Sequence, residues 1–354
     1  MKRFLTTMAA LTTAGGVQAG GVERSSQSVA ILFEQGRYAE LSFGHFAPDV
    51  SGTVGPFSSG DMAPSYNSWS LGYKMDIGDR MDFALILDQP IGADVAYPGT
   101  FVPLGSYPLA GTTADLSSSA ITALLRYSFE NNVSVYGGLR YQTVHGVVSI
   151  PLVVGYTMET NHDSELGYVV GLAWEKPEIA ARVALTYNSA ITHSLESVEF
   201  GALADGFDTE VPQSVNLEFQ TGIAKDTLLF GSIRWVDWSE FVIDPPFYPP
   251  PIPLVAYPKD RVTYNLGIGR RFNETWSGAV TLGYEPSDGE LTGNLGPTDG
   301  MRSIGLAATY TRDNMKITGG IRYVDIGDAT TNTVGGNFSG NSGLGVGLRV
   351  GYSF

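Results

Sequence analysis

The sequence predicts an all-β protein, a transmembrane antiparallel β-barrel of about fourteen strands with a short N-terminal segment ahead of the first. Three observations predict it. First, the final stretch from Gly343 to Phe354 puts Leu344, Val346, Leu348, Val350, Tyr352 and Phe354 on every second position. Gly345, Gly347, Arg349, Gly351 and Ser353 fall between them. Side chains alternate faces along a strand, so one face is apolar and the other small or charged. Second, the same alternation returns repeatedly from Tyr38 onward. Third, the connections alternate between very short turns and long loops, as in barrels whose strands cross a bilayer up and down.

The N-terminus reads as a removable leader. Lys2 and Arg3 precede an apolar stretch from Phe4 to Val17, and Val17-Gln18-Ala19 has the small-x-small form of a cleavage site. Residues 1–19 are therefore expected to be a signal peptide, residues 20–37 an N-terminal plug segment, and residues 38–354 the barrel. Within the plug, Val29 to Phe33 suits a short helical turn, and Phe33 is a candidate ligand contact.

Composition sets bounds on function. The chain has no cysteine, which excludes thiolate catalysis and cysteine metal sites. The formal charge is −15 with no basic cluster, so nucleic acid is not an expected partner. Hydrophobic residues make up 43%, yet no later stretch supplies the roughly 20 apolar residues of a membrane-spanning helix. A barrel resolves this, since each strand shows lipid one face only.

The strands follow in order. Ala39, Leu41 and Phe43 alternate with Glu40, Ser42 and Gly44; Trp69, Leu71, Tyr73 and Met75 alternate with Ser70, Gly72 and Lys74. After a turn at 76–79, Met81, Phe83, Leu85 and Leu87 oppose Asp82, Ala84 and Asp88. Ile121 to Phe129 and Val133 to Tyr141 form the next hairpin, then Tyr168 to Trp174 and Ala181 to Tyr187. Val215 to Ile223, Thr227 to Phe241, Val262 to Ile268, Trp276 to Tyr284, Ile304 to Tyr310 and Met315 to Tyr323 lead to the closing strand. Short turns at 76–79, 130–132, 175–178, 224–226, 271–274 and 311–314 belong to one end, the periplasmic one. Trp69, Tyr127, Tyr141, Trp174, Tyr187, Trp276, Tyr310, Tyr323 and Tyr352 sit near strand ends, as interfacial girdles do. A soluble sandwich also alternates, but it has no reason to carry such rings.

Basic residues on the strands, namely Lys74, Arg126, Arg140, Arg182, Arg302, Lys316, Arg322 and Arg349, are expected to face the lumen. A lipid-facing charge near the midplane costs about 2–4 kcal/mol. Arg126, Arg140 and Arg182 are candidate ligand contacts; the plainer reading is that they brace the interior. The long loops are unexpectedly apolar. One carries Phe101, Leu104 and Tyr107, a second Leu152, Val154, Tyr156 and Met158, and a proline-rich third Phe247, Tyr248 and Leu254. Apolar side chains in loops mark an interaction surface or a ligand groove, which prolines keep pre-formed. The plainer reading has them packing on one another as a lid.

The terminal strand ending in Phe354 resembles the insertion signal of bacterial outer-membrane barrels, which implies the barrel assembly machinery as a partner and the outer membrane as the location. A more specific resemblance lies in the second half. Tyr187-Asn188-Ser189-Ala190-Ile191-Thr192-His193, Val211-Pro212-Gln213-Ser214, Trp235 to Phe241, Asp260 to Gly267 and Gly283 to Ser287 resemble, in the same order, segments of FadL-type outer-membrane long-chain fatty acid transporters. The resemblance implies passive import of hydrophobic molecules, above all long-chain fatty acids, with outer-membrane lipid and lipopolysaccharide as surroundings and no cofactor. Two features of that family are absent: an Asn-Pro-Ala stretch before Tyr38, and any Gly or Pro within Met81 to Asp88 that would bend the third strand.

Two other functions remain open from sequence. A porin for small polar solutes would share the barrel. A barrel lipase would need a serine–histidine pair, and the chain offers only His45, His145, His162 and His193 as bases. Ser42 and His45 lie on opposite faces of one strand.

Overall fold

A computed structural model describes residues 21–250 and 252–354. The expected signal peptide lies outside the described residues. The molecule is a closed antiparallel barrel of 14 strands. The strands are β1 (Tyr38–Asp49), β2 (Tyr66–Ile77), β3 (Met81–Asp88, continued as Gly92–Ala96), β4 (Thr113–Ser128) and β5 (Val133–Ile150). Next come β6 (Asp163–Lys176, preceded by Tyr156–Thr160), β7 (Ala181–Asn188, continued as Ile191–Glu199) and β8 (Ser214–Ala224, preceded by Leu203–Val211). The last six are β9 (Thr227–Val236), β10 (Arg261–Arg271), β11 (Trp276–Glu285), β12 (Met301–Arg312), β13 (Met315–Ile326) and β14 (Asn341–Ser353). Closure is complete: β14 pairs with β1 from Tyr38 opposite Ser353 to Asp49 opposite Ser342. This joins the first and last edges of the sheet, as a bilayer demands because it offers no hydrogen-bond partner.

The alternation is realised as a lipid-facing belt. Leu41, Phe43, Ile121, Leu125, Leu139, Val170, Leu172, Val280, Leu306, Ile321 and Leu348 are all exposed on the outer face. Two aromatic girdles bound the belt. Tyr127, Phe129, Trp174, Trp276, Tyr310 and Tyr352 lie at the end of the short turns; Trp69, Tyr141, Tyr168, Tyr264, Tyr284 and Tyr323 lie at the other. Cross-strand neighbours pack their rings, Trp276 with Tyr310 at 5.1 Å between centroids and Tyr264 with Tyr284 at 6.4 Å. Arg302 departs from expectation. It shares the parity of Ile304 and Leu306 and faces outward opposite Asp325, at the far end of β12 beyond the belt.

Inside, rings lie flat over glycines of neighbouring strands. A Cβ on Gly343 would sit 2.0 Å from the Phe46 ring, and one on Gly171 2.3 Å from Tyr136. Residues 21–37 contact the inner faces of many strands. Ala30–Phe33 forms a 3-10 turn. Arg140 donates to Gln27 Oε1 at 2.8 Å, Asn216 to the Ser26 carbonyl at 2.9 Å, and Arg234 to Glu23 Oε1 at 2.6 Å. Ser28 donates to Glu218 at 2.6 Å and Ser25 to Asp88 at 2.5 Å.

Candidate functional site

The long loops, all at one end, fold over the barrel mouth and bury an apolar core of their own. Tyr97 stacks on Tyr107 at 5.5 Å; Tyr156 meets Tyr248 edge-on at 5.0 Å; Trp238 packs on Tyr257 at 5.4 Å. Burial pushes the Tyr107 hydroxyl up to about 12, as expected for a phenol kept from water. Beneath this cap lies an apolar pocket of about 70 Å³. Val22, Val95, Leu116, Val148, Met158, Phe241, Ile243, Leu254, Tyr257 and Leu295 line it. The lining includes one carboxylate, Asp115, and no lysine, arginine or histidine.

The loop residues singled out from sequence divide into three sets. Met158 and Leu254 line the pocket. Tyr107, Tyr156 and Tyr248 belong to the apolar core around it, with Leu152 packed against that core and Phe101 half-buried. Leu104 and Val154 point into solvent, 99% and 86% exposed, and Phe247 is partly exposed. Val22, Val95, Leu116, Val148 and Leu295 come from five separated stretches and carry no sequence signal beyond being apolar.

Below the pocket the barrel wall is broken. β2 pairs with β3 only from Leu71 opposite Leu87 to Ile77 opposite Met81. Above that, Tyr66 to Ser70 pair with β1 and not with β3, while Gly92–Ala96 leans away, pairing with β4 on one side and meeting β2 with no ladder on the other; Ala96 N donates to Met62 O, ahead of β2, at 2.9 Å. The break falls at Gln89-Pro90. Proline has no N–H for the ladder, and Ser118 of β4 substitutes with its hydroxyl, accepting from Ile91 N at 2.9 Å and donating to Ile91 O at 2.6 Å. The opposing stretches differ in length between Asp88–Ala120 and Gly92–Ser117, so the strand bulges as it bends. No bend in the third strand was expected because Met81 to Asp88 lacks Gly and Pro; the breaking residue stands just past that window. Across the gap here, Trp69 N donates to Gln89 Oε1 at 3.1 Å.

The lumen behind the gap is a chamber of about 200 Å³ lined by polar and apolar side chains, reaching from Trp69, Leu71 and Gln89 to Arg182, Glu218 and Arg322. Its floor is an ion network: Asp82 binds Lys74 and Arg126, each at 2.7 Å, and Arg126 also reaches Glu175 at 3.0 Å. Phe33 is nearly buried there, with the Arg182 guanidinium 4.4 Å and that of Arg126 4.8 Å from its ring centre. Arg140 is held by Thr122 and Gln27. Of the three arginines proposed as ligand contacts, Arg126 and Arg140 are thus engaged within the protein, and Arg182 lines the chamber. The serine–histidine idea finds no geometric support: Ser189 Oγ accepts from Tyr168 N at 2.9 Å, whereas His193 Nδ1 faces Asp163 Oδ2 at 2.9 Å.

Fold and site together define a transmembrane β-barrel with an apolar chamber at its mouth, a polar interior and a sideways break in the wall. Its fold is that of the FadL-type channels. A FadL homologue from Pseudomonas aeruginosa superposes with a TM-score of 0.75 over 92% of this chain and 92% of that one, at 14% identity. The Pseudomonas putida toluene transporter TodX gives 0.67 over 97% of each chain at 12% identity. The Ralstonia pickettii toluene transporter TbuX gives 0.62 over 99% of each at 13% identity. At these identities the likeness establishes the fold. No protein-family model matches the sequence, and no curated protein matches it.

Proposed function

We propose that the protein is a passive channel of the bacterial outer membrane for small, uncharged hydrophobic molecules. They are captured in the pocket under the loops and released sideways through the break between β2 and β3. The observation that carries this reading is the sequence of surfaces a solute meets. The pocket is apolar, the lumen below carries charged side chains such as Arg182, Glu218 and Arg322, and the break in the β2–β3 ladder opens toward the lipid-facing Phe43, Trp69 and Leu71. An apolar solute gains about 0.8 kcal/mol per buried CH₂ in the pocket and loses it among the charges, so the wall is its favourable exit. A solute of polar character has the opposite preference, which argues against a general porin. The toluene transporters of similar fold support the same solute class.

A long-chain fatty acid is the second reading. It is favoured by Arg182 and Arg322, which line the chamber; among the described residues Arg322 donates to Ser303 and to the Met301 sulfur. Against it stands the cation-free pocket, where a carboxylate would enter unpaired. Uptake of radiolabelled toluene and of oleate by cells that depend on this protein separates the two. Toluene uptake without oleate uptake supports the first reading, and the reverse replaces it. A large steady ion conductance in planar bilayers, with neither solute taken up, would make it a porin.

A further inference from the structure

Between the outer pocket and the wall break runs a short stretch of the N-terminal segment. Val22 lines the apolar pocket and also a neighbouring cavity of about 130 Å³; Arg24 lines that cavity and the luminal chamber beyond it. This stretch is docked as an extra edge strand on the broken side of β3. Gly92 N donates to Val22 O at 2.7 Å, Arg24 N and Ser25 N donate to Pro90 O at 2.9 and 3.3 Å, and Glu23 stands opposite Ile91.

From there the Arg24 side chain reaches both lips of the break. Its Nε donates to Gly92 O at 2.9 Å and its Nη2 to Asp94 Oδ2 at 2.7 Å, both on the bent continuation of β3. Its guanidinium carbon lies 3.2 Å from the centre of the Tyr66 ring, at the start of β2. The backbones of these two strands have parted at this level, so the guanidinium takes the place of ladder hydrogen bonds. A planar guanidinium serves both contacts at once, donating along its edge while stacking with its face; a lysine ammonium cannot.

We propose that Arg24 is the bolt of the lateral exit, holding Tyr66 to Asp94 across the break and standing between the pocket and the way out. The proposal rests on the channel function argued above, with Arg24 as a positioning residue whose release widens the passage.

The chain is cysteine-free, so nitroxide labels can be placed cleanly on Asn67→Cys and Ser117→Cys, both exposed on the outer face on either side of the break. Distances between the labels are read by pulsed electron paramagnetic resonance in full-length protein in lipid, with Arg24 intact, Arg24→Lys and Arg24→Ala. The expected result is a narrow distribution with Arg24, a broader one with lysine, and the broadest with alanine. The initial toluene uptake rate of Arg24→Ala should rise about threefold or more. An unchanged distance distribution in Arg24→Ala overturns the bolt, whatever uptake does. A broadened distribution with no uptake in any variant, the unsubstituted protein included, keeps the bolt and refutes the channel reading. Tyr66→Leu poses the same question from the other lip if Arg24→Ala fails to insert.

Discussion

The apolar pocket is tested most directly at Leu254. This residue comes from a loop, is nearly buried and lines the pocket opposite Val148 and Met158, so the barrel wall does not depend on it. Leu254→Asp adds a carboxylate to a lining with no cation. A neutral solute of about seven carbons gains roughly 5 kcal/mol on burial at about 0.8 kcal/mol per CH₂. The new carboxylate must shed its water when the solute enters, costing about 1–3 kcal/mol or more. At about 1.4 kcal/mol per tenfold, binding should weaken roughly tenfold to a hundredfold. The assay is the initial uptake rate of toluene far below saturation, normalised to the amount of folded barrel seen as the heat-modifiable band on a gel. Leu254→Met, which conserves volume, should behave like the parent, and so should Leu104→Asp, because Leu104 is 99% exposed. Leu254→Asp transporting at the parent rate, or Leu104→Asp failing equally, would refute the placement of the pocket.

Three further outcomes follow from the geometry. Arg234 and Glu23 form a buried ion pair supported by Ser214 and Asn216, so Arg234→Ala should cost about 3–5 kcal/mol in urea unfolding, partly restored by adding Glu23→Gln. Val280 stands midway between the girdle residues Trp276 and Tyr284 on the lipid face, and Val280→Arg should lower stability by about 2–4 kcal/mol on refolding into vesicles, whereas an arginine at exposed Thr192, beyond the belt, should cost little. In the loop after β11, burial pushes the Asp299 carboxyl up. Hydrogen bonds from Ser287, the amides of Asp288 and Gly289, and Arg261 outweigh burial and hold it below the usual carboxylate range. Its stabilisation is therefore complete above the ordinary aspartate pKa and lost as pH falls through the lowered value. Proteolysis of this loop should accelerate on acidification in the parent, and Asp299→Asn should be fast at neutral pH with a flatter acid response.

The barrel was legible because its determinants are local. Period-two alternation puts Val280, Leu282 and Tyr284 on one face whatever their neighbours are, and a turn as short as Lys225-Asp226 joins adjacent antiparallel strands by necessity. The loop core was legible in kind, since apolar side chains such as Tyr107 and Tyr156 must be buried somewhere. Which of them line a pocket was not, because Leu104 and Tyr107 are three residues apart and end in opposite environments. The wall break was half-written in Gln89-Pro90: a proline removes one ladder bond, but only the partner strand decides whether that yields an edge, a bulge or an opening.

Sequence alone therefore determined the strand number, the lipid-facing belt, its aromatic boundaries and the oily character of the outer loops, all of which follow from periodicity and from each residue's affinity for water. Tertiary structure alone decided that Val22, Leu116, Val148 and Leu254 share one cavity, that β2 and β3 part above Leu71, and that Arg24 lies across the parting. These are contacts between residues far apart in the chain, and their geometry arises only when the sheet has closed and its register is set.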